Sequence, residues 1–420
     1  MISKQLWRLR RVLRKLWVRA AGIALLALVA LAAAALLRPL IPDEAVERLG
    51  EDAVMPLLSI LASSMLTVTT FSLTVMVSAH MQASSQITPR SHRLLLEDTT
   101  TQTVLATFLG AFVYALTAII LFRSHIYGAT AAVVVFGFTV IVVALVILAV
   151  LRWIAHLSRL GSLDETLDQV EERVRDTLRR FRHAPTMGAR RLADRDDLPA
   201  GLTPVACDRG GHVQFVDMAA LARMAEDYST EIYLPYGPGA FCAPGSPVAH
   251  IGRSDAALVK AVAEAFTFGP VRTFDQDARF GLTVLSEIAS RALSPGLNDP
   301  GTAIEVTGRV ERLLCEAQPE TEPFEPPRGA ERIHLHPTTE ADLIEDYFHP
   351  VARDGAGMIE VALRLQRALN SLKAAAQRTN RPDMDRAARA AQDRLLEHAE
   401  AALPLASDRE KLRALAKREA

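Results

Sequence analysis

Four long apolar stretches fill the first 151 residues, and they decide most of what this chain can fold into. Val18 to Leu37 runs twenty residues with Arg19 as its only charge. Val54 to Ala83 is less apolar but contains no Asp, Glu, Lys or Arg. Thr103 to Phe122 and Ala129 to Leu151 follow, the last carrying the run from Ile141 to Leu148. A helix needs about 20 apolar residues to cross ~30 Å of hydrocarbon. The expectation is a four-helix transmembrane domain over 18–151, with spans near 18–37, 54–83, 103–122 and 129–151. A basic start before an Ala-rich run also fits a cleaved signal peptide. The length of that run, and the three spans behind it, favour an uncleaved helix.

Basic residues orient the spans. Lys4, Arg8, Arg10, Arg11, Arg14, Lys15 and Arg19 stand at the start, whereas the first loop offers Arg38 and Arg48 among five acids. Arg90 and Arg93 follow the second span, Arg123 lies in the short third loop, and Arg152 and Arg159 follow the fourth. The positive-inside rule places both termini in the cytoplasm of a bacterial inner membrane. Residues 1–17 then lie on the anionic inner leaflet of the lipid bilayer, with Trp7 and Trp17 as interface anchors.

Beyond Leu151 the chain reads as a mixed α+β cytoplasmic domain. Leu163, Leu167, Val170, Val174, Thr177 and Phe181 recur every three or four residues. They make 152–183 an amphipathic stalk that either packs on its own chain or pairs with a second copy. Residues 183–201 form a linker, and 202–252, with short β segments split by turns, a small β-barrel-like module. Helical spacing covers 253–316, at 256–268, 278–292 and 300–315, the last opened by Asn298-Asp299-Pro300 as cap and first turn. A Pro-rich linker at 318–330 leads to a helical C-terminal region, 331–420. Cys207, Cys242 and Cys315 are widely spaced and read as reduced thiols.

Several segments carry a resemblance. Arg272-Thr273-Phe274-Asp275-Gln276-Asp277-Ala278-Arg279-Phe280-Gly281 is one, and Ala292-Leu293-Ser294-Pro295-Gly296-Leu297-Asn298-Asp299-Pro300-Gly301-Thr302-Ala303 is another. With Phe71-Ser72-Leu73-Thr74-Val75-Met76 and Ala83-Ser84-Ser85-Gln86-Ile87-Thr88-Pro89-Arg90, they resemble the bacterial predicted membrane proteins called the domain-of-unknown-function 2254 family. The resemblance implies architecture and location and brings no activity with it.

Two constellations stand out. Ser59, Ser63, Thr67, Thr70, Thr74, Ser78 and Gln82 step by three or four along the second span, a polar stripe through the bilayer's depth. Such a stripe serves as a packing face between helices or as the lining of an aqueous path. Arg272, Asp275, Gln276, Asp277, Asn298 and Asp299 form either a structural salt-bridge lock or, with Arg279, an anion or ligand site. His334 and His336, on one face of a strand with Glu340, Asp342 and His349 downstream, have the chemistry of a metal site, but spacing this loose favours surface histidines over zinc. No catalytic constellation, nucleotide loop or cofactor motif appears. A net charge of −1 and mixed-sign helices indicate no nucleic-acid partner. The leading expectation is a homo-oligomeric, channel-like or transport-related assembly with the second span facing its centre. The alternative is a non-conducting membrane sensor or scaffold whose cytoplasmic domain binds a ligand or protein.

Reporter fusions placed after Leu37 and after Phe122 should report the periplasm, and those after Ala83 and Leu151 the cytoplasm. A periplasmic signal from the C-terminal domain would reverse the orientation.

Overall fold

The computed structural model describes residues 16–37, 51–86, 88–91, 99–124, 129–157, 162–316 and 324–417. The basic segment before Leu16 and the first loop lie outside the described residues. The chain divides into two compact units, one over Trp7–Glu165 and one built on Thr166–Ala420.

Among the described residues, the first unit is built on four long helices: α1 (Leu16–Leu37), α2 (Glu51–Gln86), α3 (Thr99–Arg123) and α4 (Ala129–Leu157). Three of them, α2 to α4, are long and apolar enough to cross a membrane among the described residues. At the centre lies α3, which packs against the other three. Its packing faces are built from Gly110, Ala111, Ala115 and Ala118, so neighbouring backbones come close. A β-carbon on Gly110 would sit 2.6 Å from Cβ of Ile23 in α1, the small-residue logic of helix association in lipid. Tyr114 is fully buried, and its hydroxyl meets Thr139 Oγ1 at 3.1 Å and donates to the Val135 carbonyl at 3.3 Å. A phenol in an apolar bundle needs such partners.

Among the described residues of the second unit, α5 (Leu163–His183) precedes eight short strands and eight further α-helices. The strands are β1 (Arg190–Arg191), β2 (Thr203–Ala206), β3 (Gly211–Val216), β4 (Ile232–Leu234), β5 (Phe241–Cys242), β6 (Pro247–Ile251), β7 (Phe266–Gly269) and β8 (Ile333–Leu335). They do not close a barrel. One sheet of five runs β1-β8-β4-β6-β2, and one of three runs β5-β3-β7. Closure fails because β8, contributed from beyond residue 330, enters between β1 and β4 in parallel with both. The two sheets share a core with α6 (Met218–Asp227) and α7 (Ala256–Glu264), built on Ile232, Leu234, Ile251, Ile333 and Leu335.

Helical spacing over 256–268 is corrected: α7 stops at Glu264, and Phe266–Gly269 is β7, paired with β3. Two of its residues are Phe and one is Thr, which favour strands, and pairing with β3 decides the matter.

The remaining helices are α8 (Ala278–Ala292), α9 (Pro300–Cys315), α10 (Glu340–Gly355), α11 (Ile359–Arg378), α12 (Pro382–Ala402) and α13 (Ala406–Ala416). They form a layer in which α8 packs on α9 and α10, α11 on α9 and α12, and α12 on α10. Along the apolar seam of α5, Leu167, Val170, Val174 and Thr177 are buried in this unit and Leu163 and Phe181 are half-buried. Val174 packs onto Gly281 of α8, where a β-carbon would come within 2.3 Å.

Candidate functional site

On α2 the hydroxyl stripe faces away from its own bundle. Val54, Leu58, Leu61, Met65 and Ser72 are buried on one side, while Ser59, Ser63, Thr67, Thr70, Thr74 and Ser78 are exposed on the other. The side chain of Gln82 lies outside the described residues. Where hydroxyl bonds are seen, they run back to the helix. Ser63 Oγ donates to the Ser59 carbonyl at 3.0 Å and Thr67 Oγ1 to Ser63 at 3.1 Å. Thr70 and Thr74 donate to Leu66 and Thr70, each at 3.0 Å. Such i−4 bonds satisfy the hydroxyl proton while leaving the oxygen's lone pairs outward.

In the second unit, the segment from Arg272 to Gly281 is a joint between sheet and helix layers. Asp277 is almost wholly buried and caps α8, accepting from the Arg279 and Phe280 amides at 3.1 Å each. Arg272 holds the same carboxylate bidentately, Nε to Oδ2 at 2.7 Å and Nη2 to Oδ1 at 2.9 Å. Gln276 clasps the end of β3, its Oε1 accepting from the Val216 amide at 2.8 Å and its Nε2 donating to the Val216 carbonyl at 3.2 Å. Arg279 points elsewhere, bidentate to Asp346 of α10 at 2.7 and 2.8 Å. Asp275 is exposed.

Asn298 and Asp299 do not join this joint. Asp299 caps α9, accepting from the Thr302 amide at 3.1 Å, with Pro300 as the first helical residue. Asn298 holds a left-handed backbone, φ 48°, in the exposed turn before it. His334 bonds Glu231 at 2.8 Å and stacks on Tyr233, whereas His336 contacts the Leu192 carbonyl. Among the described residues, no three His, Cys, Asp or Glu side chains converge as metal ligands.

Sequence reasoning missed a cluster assembled from α5, α9 and α11. Glu171 of α5 has a side chain only 6% exposed and is ringed by three arginines. Arg312 reaches it with Nε at 3.0 Å and Nη2 at 2.8 and 2.9 Å, Arg175 at 2.6 Å and Arg309 at 3.0 Å. Burial pushes the Glu171 carboxyl up, but the bonds from Arg312 and Arg175 outweigh it and hold the group below its ordinary range. Arg309 also holds Asp168 at 2.7 Å and Glu305 at 2.8 Å. These groups, with Gly308 and Arg364, line an open cleft of about 730 Å³. The one sequence signal was the acid–base mix on the polar face of α5. Its partners lie up to 141 residues away, beyond what periodicity reports.

A family described as "Predicted membrane protein (DUF2254)" matches residues 14–371. Uncharacterised proteins of Mycobacterium tuberculosis strain H37Rv and of Mycobacterium bovis are each 29% identical over 256 residues, 58% of this chain and 49% of theirs. The chain thus spans about half the length of the curated relatives it matches. No solved structure matches it.

Arg272→Ala should destabilise the protein by about 3 kcal/mol, the low end for stranding one partner of a buried pair, read as a lowered melting temperature in detergent. Gly239→Ala should act in the same direction, because a β-carbon there would meet Asp277 Oδ2 at 2.1 Å. A variant melting like wild type would remove the joint from the account.

Glu171→Gln should also destabilise, with a pH signature. A carboxyl depressed on folding contributes stability above its unfolded pKa of ~4.3 and loses it as pH falls through the folded value. The gap between wild type and Glu171→Gln should therefore be full at pH 7 and close progressively below about pH 4. A gap unchanged down to pH 3 would contradict the ringed-carboxylate description.

Proposed function

Since the chain belongs to the DUF2254 family of predicted membrane proteins, we propose that it is a multi-pass bacterial inner-membrane protein that forms a homo-oligomeric, channel-like assembly. In this reading all four helices α1 to α4 span, both termini are cytoplasmic, and the stripe on α2 faces the centre between copies. One observation carries it. Of the three apolar spans, α2 is the least hydrophobic, yet only 17% of its central stretch is buried in its own unit, against 50% for α3 and 33% for α4. Lipid alone would favour the opposite order, with the most polar helix innermost. The outward side carries Ile60, Leu66, Phe71 and Leu73 as well as the hydroxyls, and a row of hydroxyls already bonded to their own backbone suits a second copy or water better than acyl chains.

A second reading is favoured by the open cleft beside Glu171. Here the spans anchor, and the soluble unit carries the function as a ligand-binding sensor or scaffold.

Cysteines at Thr67, Thr70 and Thr74 separate the two in the assembled protein. Facing an aqueous path, they should react quickly with small hydrophilic thiol reagents, whereas cysteines at Leu66, Leu73 and Met76 should react slowly, since thiolate forms where water reaches. The native thiols offer little background: Cys207 and Cys242 are buried, and burial with Glu311 pushes the Cys315 thiol up to about 11. Uniform protection along the stripe would sink the pore and leave the sensor or scaffold ahead.

A further inference from the structure

The carboxylates around Arg309 are held unequally. Glu171 is inner and fixed, with three arginines on its two oxygens and a side chain 6% exposed. Asp168 and Glu305 are outer, their side chains 48% and 45% exposed. Arg309 itself is only 13% exposed, so the open ends of these pairs are the two carboxylates, where water or a competing anion can reach. Turning both outer acids to solvent uncovers the Arg309 fork, at Nη1 toward Asp168 and at Nε and Nη2 toward Glu305. Arg312, one turn along the same helix and 57% exposed, stands beside it. The cleft lining sets Arg175, Arg309, Arg312 and Arg364 against Asp168, Glu171 and Glu305, an excess of one positive charge within the lining, while Glu311 and Glu316 pair with Arg364 and Arg175 from outside it.

Two further features shape the occupant. Gly308 sits inside α9, where glycine is a poor helix former, and Arg364 Nη2 lies 3.1 Å from where its β-carbon would be. The missing side chain brings that guanidinium to the cleft wall. A neighbouring cleft of about 460 Å³ shares Gly308 and Arg312 and continues over Cys315, Ser371 and Ala374. The polar pocket thus opens onto a less charged one.

We propose that this double cleft binds a small organic phosphate. Its phosphoryl oxygens replace Asp168 and Glu305 on Arg309 and rest on Arg312, and its compact apolar part lies over Cys315 and Ala374. Two guanidiniums a turn apart match the several oxygens of a phosphoryl group better than the two of a carboxylate. The proposal names the ligand for the sensor reading and is independent of the pore.

Full-length protein in detergent, titrated calorimetrically with phenyl phosphate at constant ionic strength, tests it. Binding should saturate and be tighter than for inorganic phosphate. Arg312→Gln should weaken it about tenfold or more, the worth of a charge-assisted bond. Asp168→Asn, at an exposed position, should tighten it by up to about fivefold, because it removes a competing exposed carboxylate. Binding confined to micelles carrying phosphatidylglycerol, and moved by the same two variants, would supply the phosphoryl group from a lipid headgroup. No saturable binding, or binding indifferent to both variants, would overturn the proposal. Uptake of phenylacetate but not of phosphates, lost in Arg312→Gln, would overturn the phosphate while leaving the cleft a ligand site.

Discussion

A helix in hydrocarbon has to answer its own hydrogen bonds, and the membrane unit is organised around that demand. Backbone groups are paired within each helix, so what remains to settle is the polar side chains. Two solutions coexist. In the interior, Tyr114 of α3 finds Thr139 and the Val135 carbonyl of α4. On the outside of α2, serines and threonines turn back to carbonyls one turn earlier. The first solution consumes its polar groups inside one chain. The second leaves a row of oxygens facing outward, and the homo-oligomeric proposal rests on what meets that row.

The second unit solves a different problem, joining two small sheets to a helical layer across short strands that bury little by themselves. Single carboxylates make the joints. Asp277 caps α8 and receives Arg272 while Gln276 grips the end of β3, so the turn between β7 and α8 is fixed from both sides. Glu171 plays a comparable part between α5 and α9 through Arg312 and Arg309. Both lie where removing one partner would leave charge stranded, which makes them stiff points. At Glu171 the stiffness is local. The inner carboxylate is buried among three arginines, while the outer ones on Arg309 are about half exposed.

Much of this architecture is legible in residue order, because it is set by local rules. Apolar run length gave the positions of α2 to α4, and the Asp299-Pro300 pair marks the start of α9 as capping chemistry requires. The seam of α5 is visible as periodicity, although whether it meets its own chain or a copy depended on Gly281, 107 residues beyond Val174, having no side chain. What stayed hidden is long-range. Parallel entry of β8 between β1 and β4 turned an expected barrel into two open sheets, and pairing with β3 turned the end of a helical pattern into β7. Asn298 and Arg272 share a rich motif neighbourhood but no contact, since each is spent on its own turn. The ring around Glu171 draws on three helices, and nothing in the spacing of any one of them announces the others.

We propose that the outward hydroxyl face of α2 lines the centre between copies, close enough to the same face of another copy for cysteines there to cross-link. Oxidative cross-linking of a single cysteine at Thr70, in membranes and before any detergent is added, tests it most directly. The account predicts a cross-linked dimer formed through Thr70→Cys and absent when the cysteine is placed at Leu58 or Met65, on the buried side. A Thr70→Cys protein that stays monomeric in the membrane under conditions where exposed control cysteines cross-link would contradict it.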